Sequence, residues 1–234
     1  MSYTYSTWLT AAADLLITQT DNTDFVTILP SAIDYAEQRI YRELDLLSTR
    51  VTNSSNALTA SDRNFALPTG YVVVEELNLI YPAGTAAASG TRYPLIPVSR
   101  PYLDVVYPGN VTTGQPVVFA MVDQNNLIVG PSPDGNYVIE VVGTQRPAAL
   151  SANNTSTFLT ANLPDLWMAA TMIFFSGFQK NFGSQADDPK MAVSWESQYQ
   201  SLRASADSEE WRKKFAASAW SSIQPSREAQ PARN

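Results

Sequence analysis

The 234-residue chain is 44% hydrophobic and 16% charged, carries a net charge of −7, and contains neither Cys nor His. This composition supplies a sizeable core for one large or two small domains, and it excludes disulfides, thiolate catalysis, the usual zinc sites and any His-based triad. The negative balance argues against general binding to a phosphate backbone, though not against a surface past which DNA slides without sticking.

A charged fraction of 16% is low against the usual quarter or so. Two readings stay open: surface hidden in an assembly, or a β-rich protein with a Ser/Thr/Asn surface. Met1 to Thr7 lacks a basic region followed by an apolar core, so no secretory signal is expected. The Asn-X-Ser/Thr triplets at Asn53, Asn110, Asn153 and Asn154 then signify only a polar, loop-rich composition.

Trp8, Leu9, Ala12, Leu15 and Leu16 recur at helical spacing and predict a short amphipathic helix, broken by polar Gln19 to Thr23. The Asp21-Asn-Thr-Asp24 cluster lacks the rest of a calcium-loop spacing and its downstream bidentate Glu, so it reads as a turn and cap. Pro30 suits a first-turn position. Ile33, Ala36, Ile40 and Leu44 follow along one face, with Asp34, Glu37, Gln38 and Arg42 mostly opposite.

From about Leu47 the period changes. Asn64 to Gly70 is a turn-rich lead into Tyr71–Ile80, a run rich in β-branched residues. Pro82 to Gly90 is a small-residue loop too poor in large apolar groups to pack by itself. Further β-type runs follow at Tyr93–Val98, Val117–Val122, Leu127–Val129 and Tyr137–Val142, with Asp123 to Asn126 as a hairpin turn and Pro131 to Gly135 as a second, tighter reversal. Strands so spaced, with little helix between them, predict an antiparallel sheet or sandwich. Arg100 to Tyr107 is a short helix or a loop over the sheet; periodicity does not decide it.

Helical patterning returns near Leu159. Pro164 and Asp165 suit a first turn and the positive end of a helix dipole. Leu166, Ala169, Ala170, Ile173, Phe174 and Phe178 recur at helical spacing, with Met172 and Phe175 on the flanks, so this helix is apolar nearly all round and wants neighbours on several sides. It is either the central helix of a bundle or shared between the core and a subunit interface. Asp165, Thr171 and Ser176 interrupt it, and crossing a bilayer takes roughly 20 apolar residues. Gly183 ends the element, Asp188-Pro189 starts the next, and Ala192, Trp195, Tyr199 and Leu202 mark the second helix's buried stripe.

The expected class is therefore α+β: a helical bundle formed by both chain ends (1–46 and 160–215), an inserted antiparallel β domain (47–159) and an extended docking tail (216–234). No phosphate-cradling Gly loop, nucleophile elbow or metal-ligand cluster is present, so no catalytic residue, cofactor or metal is assigned. Glu75, Glu76, Asp104, Asp123, Asp134 and Glu140 could in principle supply a glycosidase pair, but spacing along the sequence cannot bring two of them together. Tyr71, Tyr93, Tyr102, Tyr107, Phe119 and Tyr137 could line a sugar-binding face, though such residues more often form strand core. The sharper signal is Trp211, Phe215, Trp220 and Ile223, apolar groups that continue into a Ser/Ala-rich tail and suit anchoring to a partner. For Trp211 and Phe215, four residues apart, closure of the bundle is the competing reading.

Several motifs occur in the order found in one family. They are Leu29-Pro-Ser-Ala-Ile-Asp-Tyr-Ala-Glu-Gln-Arg-Ile-Tyr-Arg-Glu-Leu44, Phe65-Ala-Leu-Pro-Thr-Gly-Tyr71, Gly114-Gln-Pro-Val-Val-Phe-Ala120, Leu127-Ile-Val-Gly-Pro-Ser-Pro-Asp134 and Leu163-Pro-Asp-Leu166 before a long apolar helix. Across most of 28–205 the chain resembles the head-to-tail adaptor proteins of tailed bacteriophages, of the tail tubular protein A type. It departs from them at Pro82–Gly90 and from Ala216 onward. The resemblance implies a structural, non-enzymatic subunit of a dodecameric ring beneath the portal protein. That ring would join the capsid to a tail or nozzle protein and line the channel through which DNA passes without sequence-specific binding. It also implies a C-terminal segment that docks on the portal, residence at the head–tail junction of the virion after assembly in the host cytoplasm, and no membrane. The alternative is a carbohydrate- or receptor-binding tail module built on the β domain's aromatics. A sugar binder would expose several coplanar aromatics, whereas a ring former would leave apolar helix side chains outward.

Overall fold

The computed structural model describes residues 2–178 and 189–217. In chain order the helices and strands are α1 (Tyr5–Leu15), α2 (Thr23–Glu43), β1 (Arg50–Asn53), β2 (Ala57–Leu58), β3 (Asn64–Ala66), β4 (Tyr71–Tyr81), β5 (Thr91–Pro94), β6 (Ile96–Pro97), α3 (Arg100–Val106), β7 (Thr113–Gly114), β8 (Val118–Met121), β9 (Asn126–Gly130), β10 (Ser132–Pro133), β11 (Tyr137–Gln145), α4 (Phe158–Asn162), α5 (Pro164–Phe178) and α6 (Pro189–Ala217). The protein is α+β, and it falls into two compact units: a helical one from Met1–Leu47 with Ala148–Asn234, and a β-rich one from Ser48–Pro147.

In the helical unit each early helix begins on a side-chain cap. Thr4 and Thr7 form a reciprocal capping box at α1, and the Asn22 side chain accepts the N–H groups of Asp24 and Phe25 at α2. The Asp21–Asp24 cluster is thus a turn and cap. Pro30 is not in a first turn, however, because the Asn22 cap and the buried Phe25, Ile28 and Leu29 start α2 two turns earlier. Inside the helix Pro30 deprives the Val26 carbonyl of its donor. Both residues face solvent, where water can replace the lost bond.

Ile33, Ala36, Ile40 and Leu44 are all buried, as their spacing predicts. Glu37 departs from that pattern: it is only 6% exposed, and its carboxylate accepts the backbone N–H of Leu150 at 2.9 Å. The core around it joins Trp8, Ala12 and Leu16 of the N-terminal segment to Phe25, Leu29 and Ile40 of α2 and to Leu166, Trp167, Met172 and Phe175 of α5. Trp8 lies 5.8 Å from Trp167 and 6.5 Å from Phe175 between ring centroids, and its indole N–H donates to Thr171 Oγ1 at 3.3 Å. A hydroxyl on the apolar α5 is accounted for by that indole. Gly183, predicted to end this helix, lies outside the described residues.

The β unit contains one sheet ordered β1-β11-β4-β5, with β2 also on β11, and a second ordered β3-β9-β8-β6. Leu77, Leu79, Ile139 and Val141 from the first share a core with Phe65, Phe119, Leu127 and Val129 from the second, so the two form a sandwich. Most pairings are antiparallel; β6 with β8 and β10 with β7 are parallel pairs of two residues each. The β8–β9 hairpin closes at Asp123, whose carboxylate accepts the N–H of Asn125 and Asn126 and is held below the usual carboxylate range, chiefly by the Asn126 side chain. The second reversal does more than turn the chain. Ser132–Pro133 pairs with Thr113–Gly114 and carries the chain from the sheet of β9 into that of β11. Arg100 to Tyr107 resolves as a helix, α3, started by the Ser99 cap.

Candidate docking surface at the end of the last helix

The α6 helix attaches along a narrow seam. Tyr199 and Ala206 are buried, and Trp195 and Leu202 pack half-buried beside them, at the three- and four-residue steps that keep side chains on one helix face. The sequence stripe foresaw Trp195, Tyr199 and Leu202 but not Ala206, and the side chain of its fourth member, Ala192, lies outside the described residues. Its polar flank was not foreseen. Arg39 of α2 forks onto Glu196 at 2.6 and 2.8 Å, donates to Glu43 at 3.0 Å, and stacks 4.2 Å above the Tyr199 ring. Tyr199 Oη and Arg203 reach the other Glu43 oxygen at 3.1 and 3.2 Å. The guanidinium holds the Glu196 carboxyl below its ordinary range.

Toward its C-terminal end the same face turns fully polar. Glu210, 4% exposed, accepts the backbone N–H of Leu47 at 3.0 Å and the ammonium of Lys213 at 2.8 Å. Lys213 also meets Glu209 at 2.7 Å, and its charge lies 5.6 Å from the Phe158 ring centroid. The two carboxylates, Glu209 first, raise the pKa of Lys213. Lys214 pairs with Asp45.

Beside these fastened groups Trp211 points outward, 68% exposed. Of the two readings left open, it does not close the bundle of its own chain. Phe215 belongs to α6, but its side chain lies outside the described residues, as do Trp220, Ile223 and the rest of the tail beyond 217. The structure therefore brings Trp211 together with Glu210, Lys213 and Lys214, residues that sequence reasoning passed over. The local part of that signal was present, since Glu209 and Lys213 stand at i, i+4. The partners Asp45 and Leu47 were not readable from spacing.

The β unit offers little to the competing functions. Tyr71, Phe119 and Tyr137 are buried in the sandwich. Tyr81 and Tyr93 are exposed neighbours, but their rings meet edge-on at 86°, which is no flat platform for a sugar. Glu140 pairs with Arg92 at 2.8 Å, Glu75 and Glu76 with Arg50 at 3.0 and 3.9 Å, and Asp104 with Arg63 at 3.2 Å. Asp134 accepts from Tyr137 Oη at 2.6 Å, and Asp123 caps its turn. Every one of the six candidate carboxylates has a structural partner. Among the described residues no cluster of acidic groups could hold a metal ion, and no helix is long and apolar enough to cross a membrane.

A family model described as SU10 adaptor protein matches residues 3–222. No curated protein matches the chain at a significant level.

Proposed function

The chain belongs to the SU10 adaptor protein family, a family of phage structural adaptors, and on that premise we propose that it assembles as a dodecameric ring beneath the portal, joins the capsid to the tail or nozzle protein, and lines part of the DNA exit channel. The match across 3–222 carries the reading. Two features of the chain support it. Ile17, Val193 and Trp211 of the helical unit are 67%, 70% and 68% exposed, large apolar groups of the kind that contacts between subunits cover. A net charge of −7 suits a channel that must let phosphate pass without gripping it.

In this reading Trp211 anchors the chain to the portal, and Phe215, Trp220 and Ile223 extend that anchor into the segment that follows. The ring's place is the head–tail junction of the virion, reached after assembly in the host cytoplasm.

Light scattering tests this. The purified protein is measured alone and then with a purified portal ring. Joining the portal in a fixed stoichiometry supports the adaptor role, whereas a protein that ignores the portal would overturn it.

A further inference from the structure

The segment between α2 and β1 is gripped by α6 at two points. Glu210 takes the Leu47 N–H and Lys214 takes Asp45, so residues one helical turn apart hold residues two apart on the facing chain. Lys213 completes the arrangement by neutralising the buried Glu210 carboxylate. Attachment of α6 does not depend on these groups, because Tyr199, Leu202, Ala206 and the Arg39 fork already fasten the helix further back. What two separated grips at the end of a helix add is control of its rotation, and with it the direction in which Trp211 points.

We propose that Glu210, Lys213 and Lys214, with Asp45 and the Leu47 N–H, form a latch that orients the end of α6 for docking. The inference rests on the docking function proposed above. These are positioning residues: the latch presents Trp211 without itself touching the partner.

The test uses the full-length protein, with hydrogen exchange at the Leu47 amide and capture by a purified portal ring as the two readouts. Glu210→Met keeps the length of the side chain but removes both the acceptor for the Leu47 N–H and the charge that Lys213 needs. It should speed exchange at Leu47 and weaken capture, each by about tenfold. Lys214→Asp, at a surface pair whose Asp45 is 84% exposed and which folding tolerates, should weaken capture similarly. Adding Asp45→Lys should restore capture to within about threefold, because the swapped pair re-forms the grip. Normal capture by Glu210→Met or by Lys214→Asp, or failure of the swap to rescue, would overturn the latch. Should wild type itself not be captured, the docking function fails on its own, and the latch is then decided by exchange alone. Unchanged protection of Leu47 in Glu210→Met refutes it.

Discussion

Single residues carry two separable kinds of information here. Trp211 is 68% exposed, so Trp211→Ala should change stability by no more than about 0.5 kcal/mol while reducing portal capture. Equal denaturation midpoints with lowered capture would show this; equal capture would refute the anchor. Glu37 is the opposite case, a charge turned inward. Burial pushes its pKa from 4.5 up to about 7, the Leu150 N–H opposes that rise, and Asp34 adds to it. Because the folded value lies above the unfolded one, the folded chain retains a proton that the unfolded chain releases. The Glu37 contribution should therefore be complete below 4.5 and be lost as pH rises through about 7, by about 3 kcal/mol. Glu140 and Glu196 are shifted downward instead, and their contributions fade only below that window. Urea midpoints at about pH 5 and about pH 8 measure the effect. Glu37→Gln keeps an acceptor for Leu150 and should flatten the dependence. The sequence placed Glu37 on the outer face because its periodicity counts only apolar positions. Nothing local announces that Leu150, far along the chain, brings a donor needing an acceptor.

The elements show why some boundaries were legible and others were not. Periodicity found α1, most of α2, α5 and the seam of α6, because a buried stripe repeats whether or not its partner is known. It placed the start of α2 at Pro30, since Pro there looks like a beginning, whereas the Asn22 cap outweighs one missing hydrogen bond on an exposed face. The α2–α6 pairing is testable through Arg39. Arg39→Lys preserves the charge but loses the fork onto Glu196 and the flat stack on Tyr199, and should cost about 1–2 kcal/mol in thermal or urea unfolding. No loss would mean that the seam alone holds α6. In the sandwich, the β11–β4 register slips between Val142 and Gly143, where a side chain at Gly143 would strike the Val73 carbonyl. Gly143→Ala should therefore destabilise the β unit by about 1–3 kcal/mol. The backbone of Val73 and Val74 and the Tyr71 ring leave little room for repacking.

For the whole molecule, deletion of 216–234 removes only the final residues of α6 and the segment beyond them. It should leave circular dichroism and the melting temperature close to wild type while reducing attachment to portal-bearing heads. Unchanged attachment would count against the docking role of the tail. The sequence by itself determined the α+β class, the apolar stripes of the long helices, the hairpin at Asp123, and a family likeness spread over ordered motifs. Each of these depends on residues close together in the chain, whose propensity and period act before any partner is chosen. Only the tertiary structure decided that Glu37 faces inward, that every candidate carboxylate already has a partner, and that Trp211 faces outward from a helix end fastened to Asp45 and Leu47. The contacts of Glu37 with Leu150, of Glu210 with Leu47 and of Lys214 with Asp45 join residues more than a hundred positions apart. The burial that sets their charge and exposure exists only once the helices have packed.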